Sequence, residues 1–480
     1  MNLRAALASI VLLFPASFAC LVGCSTSTSN GFGHDASVKH DGGTSGDAPS
    51  GSDAPGSVDA GIDVSEAGDV PDAPLPTGPF CTYPGSVQFT DAGTTIVPGG
   101  ASNTEEELKF LHLPPGYCAH FYANVGNPRQ IRFAPNGDLF VASPTRSTTA
   151  GGPNGENAIV ILPDRHNGYA DIPVKYATNL PATQGLLFAN NSLYFQNAEA
   201  IVKVPYANGD HAPSGSAITV ATLLAPDFYD DGLHWPKPLD IADDGTIYLG
   251  NGGTQGEACV DPHPTHGGIF KLAGSTGDAG ALPVAKGFRN AIAVRCQRGH
   301  NQCFALELSE DYTATFGGRE KFGLIQDGAD WGFPCCATQN LLYANLPAPK
   351  PANGNADCAG VYAEPVGFLI GDTPFGLAFE PGKWPAPWTG DAFIVLHGEA
   401  GGWNGARLVT IAVDSSTGLP VASSDTGGSN TGGMSDFGTG WDDNTMSHGR
   451  PGSVEFAADG RLFLANDLNG DIIWIAPEGL

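Results

Sequence analysis

Basic side chains are scarce in this chain of 480 residues: 22 Lys and Arg stand against 50 Asp and Glu, a formal charge of −28. That balance repels phosphate backbones, and nucleic-acid binding needs clustered Lys and Arg that the sequence does not hold, so DNA and RNA are excluded as partners. Long apolar runs are missing too: after residue 24 none approaches the ~20 residues that cross a bilayer. Charged residues make up only 15% of the chain, whereas the two worst helix formers are abundant at 66 Gly and 38 Pro. Strands and loops are therefore expected rather than helices. The absence of any Cys-x-x-Cys pair argues against a zinc site, and the absence of Cys-x-x-Cys-His means that no covalent haem is encoded.

What is present begins with an address. Residues 1–24 have an early Arg4, an apolar stretch from Ala5 to Phe14 and then small residues, the pattern of a secretory signal. Leu21-Val22-Gly23-Cys24 resembles a bacterial lipobox, which makes Cys24 the expected lipid-bearing residue and the cell envelope the expected location; cleavage near Ser17-Phe18-Ala19 and soluble secretion is the alternative. Residues 25–79 are almost all Ser, Thr, Gly, Ala, Asp and Pro. They cannot bury a core and read as a disordered tether. From residue 80 onward 41 acidic and 20 basic residues leave a net charge of −21, which favours a neutral substrate or a cationic partner. The same region holds eight Cys, namely Cys81, Cys118, Cys259, Cys296, Cys303, Cys335, Cys336 and Cys358. An even number in an exported chain implies disulfides. Cys296 and Cys303 flank a short turn and are expected to pair; the other partners stay open.

A strand pattern recurs six times from residue 128. An apolar run leads into a turn with Asp, Asn or Gly, and then into a strand centred on Phe140, Tyr194, Tyr248, Phe304, Phe393 or Phe463, at spacings of 54, 54, 56, 89 and 70 residues. A later strand follows in each unit, such as Ala158-Ile159-Val160-Ile161-Leu162 or Asp471-Ile472-Ile473-Trp474-Ile475, and is expected to be the outer one. Repeats of this size are supersecondary units that bury their faces only against one another. The reading is an all-β, six-bladed β-propeller over residues 80–480. A β-sandwich would lack the long period.

In such a propeller the residues just before the innermost strands gather at one end of the central channel. In order these are Arg129-Gln130, Thr183-Gln184, His234-Trp235-Pro236-Lys237, Arg289-Asn290, Thr373-Pro374 and His448-Gly449-Arg450. Three Arg converging in an acidic body suit a compact polyanion carrying carboxylates. Each alone has a plainer reading: an Arg at a channel often pairs with an Asp of the next blade.

Several of these segments carry a family likeness. Lys286-Gly287-Phe288-Arg289-Asn290, Asp327-Gly328-Ala329-Asp330-Trp331-Gly332-Phe333-Pro334, and Gly449-Arg450-Pro451-Gly452-Ser453-Val454 resemble the glucose/sorbosone dehydrogenases, six-bladed propellers that use pyrroloquinoline quinone (PQQ). Leu113-Pro114-Pro115-Gly116-Tyr117 is similar to their first blade, and His234-Trp235 to their catalytic segment. The resemblance implies oxidation of a sugar or alcohol by hydride transfer to PQQ, with electrons passed to an external cytochrome or quinone. It makes His234 the base, since an imidazole with its ordinary pKa of ~6.5 can take a hydroxyl proton near neutrality. Arg289 becomes the transition-state cation, and Arg289, Asn290, Arg450, Arg129 and Gln184 become the cofactor contacts. It also implies Ca2+, held by carbonyls of the loop Glu307–Asp311, with Ser309 and Glu310 as ligands.

The sequence departs from that pattern twice. Leu233 stands where the family often has a polar residue to orient the His, leaving Asp230 or Asp231 as substitutes. The segment His397-Gly398-Glu399-Ala400-Gly401-Gly402-Trp403-Asn404-Gly405 lacks a basic residue usual there, or has displaced it. Two rival readings follow from the same scaffold: a calcium-dependent lactonase-like hydrolase and a non-catalytic surface-binding propeller.

Overall fold

The computed structural model describes residues 76–145, 154–223, 234–253, 259, 267–273, 280–309, 319–339, 357–399, 404–421, 434–443 and 448–480, and the short strand Leu341–Leu342. The chain divides into two units, Met1–Asp72 and Ala73–Leu480, and every described residue belongs to the second. The signal, Cys24 and nearly all of the tether lie outside the described residues.

Six antiparallel sheets form the six blades. Blade 1 is Gln130–Phe133, Leu139–Ser143, Ala158–Leu162 and Val174–Thr178, from the channel outward; blade 2 is Leu186–Ala189, Ser192–Asn197, Ala200–Pro205 and Ile218–Thr222. Blade 3 is Leu239–Ile241, Ile247–Asn251, Gly268–Leu272 and Ala281–Lys286, and blade 4 is Asn290–Gln297, Gln302–Leu308, Glu320–Leu324 and Val366–Phe368. Blade 5 is Pro374–Phe379, Ala392–Leu396, Arg407–Ile411 and Met434–Gly438. Blade 6 takes Pro451–Phe456, Leu462–Asn466 and Asp471–Pro477 from the end of the chain and Tyr117–Asn124 from its beginning. The described helical residues are two 3-10 turns, Phe80–Thr82 and Glu107–Phe110.

The six aromatic-centred strands are the second strands of the blades, as the repeat predicted. The strands expected to be outermost are instead third. A fourth lies outside each, and in blades 1 and 2 the pattern hid it because its faces are wet: Val174–Thr178 and Ile218–Thr222 each bury only one or two of five residues. Such strands lose the apolar periodicity by which strands are read. The third strands, sandwiched between blades, are nearly continuous apolar runs; Ile472, Ile473, Trp474 and Ile475 are all wholly buried.

Pairing of Tyr117–Asn124 with Asp471–Pro477, from Tyr117↔Pro477 to Asn124↔Asp471, closes the ring. Closure completes the last blade and lets each blade bury its faces against two neighbours, leaving only short outer edges. The disulfide Cys81–Cys118 ties the preceding segment to that strand, and the Phe80 amide donates to Leu480 O at 3.0 Å. Cys296 and Cys303 pair, as expected, across the first two strands of blade 4, and Cys259–Cys335 and Cys336–Cys358 complete the set. All eight cysteines of the body are bonded.

Four charged side chains from the innermost strands fill the channel. Arg132 reaches Glu455 at 3.2 Å and donates to Leu186 O and Leu239 O. Arg295 pairs with Glu455 and donates to Leu377 O at 2.8 Å, while Asp240 accepts from the Cys296 amide at 2.8 Å and faces both guanidiniums within 4 Å. Two guanidiniums face two carboxyls whose pKa values burial raises, that of Glu455 to about 7, and their bonds tie all six innermost strands together.

Candidate active site

The innermost strands run in one direction, so the residues that precede them share one channel mouth. Hydrogen bonds between neighbouring blades show this directly. Arg129 Nε donates to Gln184 Oε1 at 3.4 Å, the Gly253 amide donates to Arg289 O at 2.7 Å, and Arg450 donates to the His397 and Gly398 carbonyls at 2.9 and 2.7 Å. Below the mouth the channel narrows to a cavity of about 20 Å³ bounded by Arg129, Gln130, Gln184, Arg295, Phe375 and Ser453, room for about one water. A cavity of about 330 Å³ lies elsewhere, between Phe121–Asn124 and Tyr169–Pro173; no predicted site residue lines it, so volume is a poor guide to the chemistry here.

His234 is buried, and its Nδ1 stands 2.6 Å from Gly253 O. A carbonyl only accepts, so Nδ1 carries the proton and the lone pair sits on Nε2. The orienting group that Leu233 fails to supply therefore comes from the main chain of the same blade; Asp230, Asp231 and Leu233 lie outside the described residues. Gly252 makes the approach possible, because a Cβ there would stand 2.6 Å from His234 Cβ and 3.2 Å from Asn290 Oδ1. Asn290 opens the innermost strand of blade 4 and is buried beside this glycine.

Arg289 is held at both ends. Its amide donates to Glu307 Oε1 and its guanidinium to Ser309 O, each at 2.9 Å. Glu307 in turn pairs with Lys321 at 2.8 Å, both wholly buried, and Lys321 donates to Trp331 O at 2.7 Å. Trp331 is stacked between Phe288 and Tyr362 at 4.2 and 4.9 Å. The motif around Trp331 thus reaches the Arg289 amide through Lys321 and Glu307.

Arg129 has a different setting from the one expected. Its guanidinium pairs with Asp467 and lies over the Phe375 ring at 4.7 Å. His397, stacked on Phe375 at 4.1 Å, reaches the same carboxylate through Nε2 at 3.1 Å. Burial, with Arg450 nearby, pushes His397 down to about 3, so it is neutral at physiological pH. Burial alone would raise Asp467, but His397, Arg129 and Arg450 together outweigh it and hold the carboxyl ionised. Of the expected trio of channel cations, Arg129 is matched by a carboxylate of its neighbouring blade. The nearest basic residue after Asn404 is Arg407, which grips Asp372 with two bonds of 3.0 and 3.2 Å and Asp436 with one of 2.9 Å. His448 is stacked on Phe110 and pairs with Asp443 at 3.0 Å.

The mouth has the groups to hold the implied quinone. Thr183 Oγ1 and Ser309 Oγ are buried without a hydrogen-bond partner among the described residues, each an unmet demand of roughly 1–3 kcal/mol. With Arg289, Arg450, Asn290 and Gln184 at the same mouth, they suit a planar polyanion rich in acceptors. Of the two expected calcium ligands only Ser309 is among the described residues. The Ser309 carbonyl accepts from the Arg289 guanidinium, whose charge repels a cation; Glu310 lies outside the described residues. Among those residues no cluster of three or more His, Cys, Asp or Glu could hold a metal ion.

Solved structures share the architecture. A Trichoderma reesei carbohydrate-active enzyme of family AA12, solved with calcium, matches with a TM-score of 0.60 at 17% identity, over 76% of this chain and 97% of its own. The PQQ domain of Coprinopsis cinerea pyranose dehydrogenase, in its holo form, matches at 0.58 and 15% over 76% and 96%. The soluble aldose sugar dehydrogenase of Escherichia coli, in its apo form, matches at 0.53 and 13% over 75% and 99%. No protein-family model and no curated sequence matches the chain. The class that fold and comparison define is a six-bladed propeller of the kind found in solved sugar dehydrogenases.

Proposed function

We propose that the chain is a PQQ-dependent dehydrogenase of a neutral aldose or polyol, and that the lipid on Cys24 holds it at the bacterial cell envelope. The observation that carries the reading is His234, its tautomer fixed by Gly253 O, at the same channel mouth as Arg289 and Arg450. The family resemblance of the surrounding motifs supports it, as do the sugar dehydrogenases among the structural matches. Four disulfides support export, because such bonds persist in oxidising compartments.

PQQ, when bound, supplies the hydride-accepting chemistry. His234 Nε2 accepts the substrate hydroxyl proton as hydride leaves the carbon that bears that hydroxyl. Arg289, anchored by Ser309 O and the Glu307 carboxylate, is the fixed cation that favours the charge developing in the transition state. Asn290 and Gln184 offer neutral hydrogen bonds, and Arg450 offers a guanidinium to carboxylates. Arg129 contributes less charge, since Asp467 already matches it. Electrons then leave to an external cytochrome or quinone.

The assignment of His234 is checked by His234→Ala. Turnover should fall by about 10²- to 10⁴-fold, the usual worth of a positioned base, while PQQ affinity stays within about threefold, too little for loss of a binding contact. Unchanged turnover would remove His234 from the mechanism.

A further inference from the structure

Thr373 lies between the fourth strand of blade 4 and the innermost strand of blade 5, with φ at +56°. A β-branched residue in the left-handed region costs about 1–3 kcal/mol and persists only where its surroundings impose it. Its amide donates to Glu320 Oε2 at 2.5 Å, its hydroxyl to Gly371 O at 3.1 Å, and its carbonyl accepts from the His397 amide at 2.8 Å. Next to it, the Gly398 amide donates to Asp372 O at 3.0 Å. His397 and Gly398 then present the two carbonyls that Arg450 grips.

We infer that Glu320 is a positioning residue of the proposed cofactor site, aiming Arg450 from two blades away; the inference rests on the function proposed above. Glu320 opens its strand, is buried, and has no part in the chemistry assigned to the mouth. A carboxyl buried there needs a purpose, since its charged form is costly to bury. Burial, reinforced by Asp372 and opposed by the Thr373 and Gly371 amides and by Arg289, raises its pKa well above the ordinary carboxylate range, and its Oε2 accepts the Thr373 amide. Asp372 is itself held by Arg407. The contacts run without a gap: Glu320 fixes the left-handed turn, the turn fixes the 397–398 main chain, and that main chain fixes the guanidinium.

The test uses the full chain with Glu320→Ala, Glu320→Gln, Thr373→Gly and the Ala/Gly double variant. It has two readouts: amide hydrogen exchange at Thr373 and His397 without cofactor, and titration with PQQ. Glu320→Ala should speed exchange at both amides and weaken PQQ binding about tenfold, the worth of one buried hydrogen bond. Glu320→Gln, which keeps an acceptor of the same shape, should restore both, and it also serves if the Ala variant folds poorly. Glycine adopts positive φ without strain, so Glu320→Ala should cost little in the Thr373→Gly background. Three results would each overturn the inference: exchange and affinity unchanged in Glu320→Ala, Gln as damaging as Ala, or a cost undiminished beside Thr373→Gly. If the parent chain fails to bind PQQ, the proposed function falls, and the exchange data alone decide whether Glu320 holds the turn.

Discussion

Lys237 lies three residues beyond His234, wholly buried, with its ammonium donating to Asn251 Oδ1 at 2.6 Å. Burial depresses it to about 8 from 10.5, only partly offset by Glu199. The native state then sheds this proton at a lower pH than the unfolded chain does, so the contribution to stability rises between pH 8 and 10.5 and is flat below. Its full span is about 3 kcal/mol. Lys237→Met should be more stable than the parent at pH 7, with the difference shrinking toward pH 10.5; a difference independent of pH would contradict the assignment. Single residues were the least legible level of the sequence. His234, Arg289, Asn290 and Arg450 could be placed at one mouth because each precedes an apolar run. That Asp467 and His397 would claim Arg129 could not be seen, because they stand at the ends of second strands, where sequence carries no marker of what they face. The charges of the channel did carry one. Arg132, Asp240, Arg295 and Glu455 each sit in an apolar run, as in Ile131-Arg132-Phe133 and Val454-Glu455-Phe456, and a charge there signals a buried pair.

The elements follow from pattern wherever both faces are buried, and fail where one is wet. Second and third strands were legible as aromatic or aliphatic runs; the fourth strands Val174–Thr178 and Ile218–Thr222 were hidden by their wet faces, Val366–Phe368 by its length of three buried residues, and the closing strand Tyr117–Asn124 because its partner lies more than 340 residues away in sequence. Such a non-local pairing adds no periodicity to the chain. The Cys81–Cys118 bond braces this closure across 37 residues. Replacing both cysteines by Ser should cost about 4 kcal/mol by loop-closure entropy. Thermal or denaturant unfolding would read the loss. Stability within 1 kcal/mol of the parent would mean that strand pairing alone holds the ring. Blade 4 departs from the common period because its third and fourth strands are separated by the segment carrying the hairpin Cys336–Leu342 and two disulfides. That segment also carries Trp331, linked to the Arg289 amide through Lys321 and Glu307, so the irregular spacing marks the site.

At the scale of the whole molecule, the quartet of Arg132, Asp240, Arg295 and Glu455 joins the six blades at their common axis. Breaking a buried ion pair by removing one partner leaves an uncompensated charge and costs about 3–5 kcal/mol. Arg295→Met should show that loss, and Arg295→Met with Glu455→Gln should recover part of it; equal losses would mean that the charges matter only through packing. The proposed chemistry belongs to the mouth above the quartet, where His234, Arg289 and Arg450 precede the innermost strands of blades 3, 4 and 6. The central claim is that this mouth binds PQQ and oxidises a sugar. Its most direct test is to titrate the purified full chain with PQQ, with and without calcium, and to follow dye reduction across a panel of aldoses and polyols. PQQ-dependent dye reduction with at least one sugar, abolished in His234→Ala, is the predicted result. A chain that neither binds PQQ nor reduces dye would contradict the account and leave a surface-binding propeller in its place.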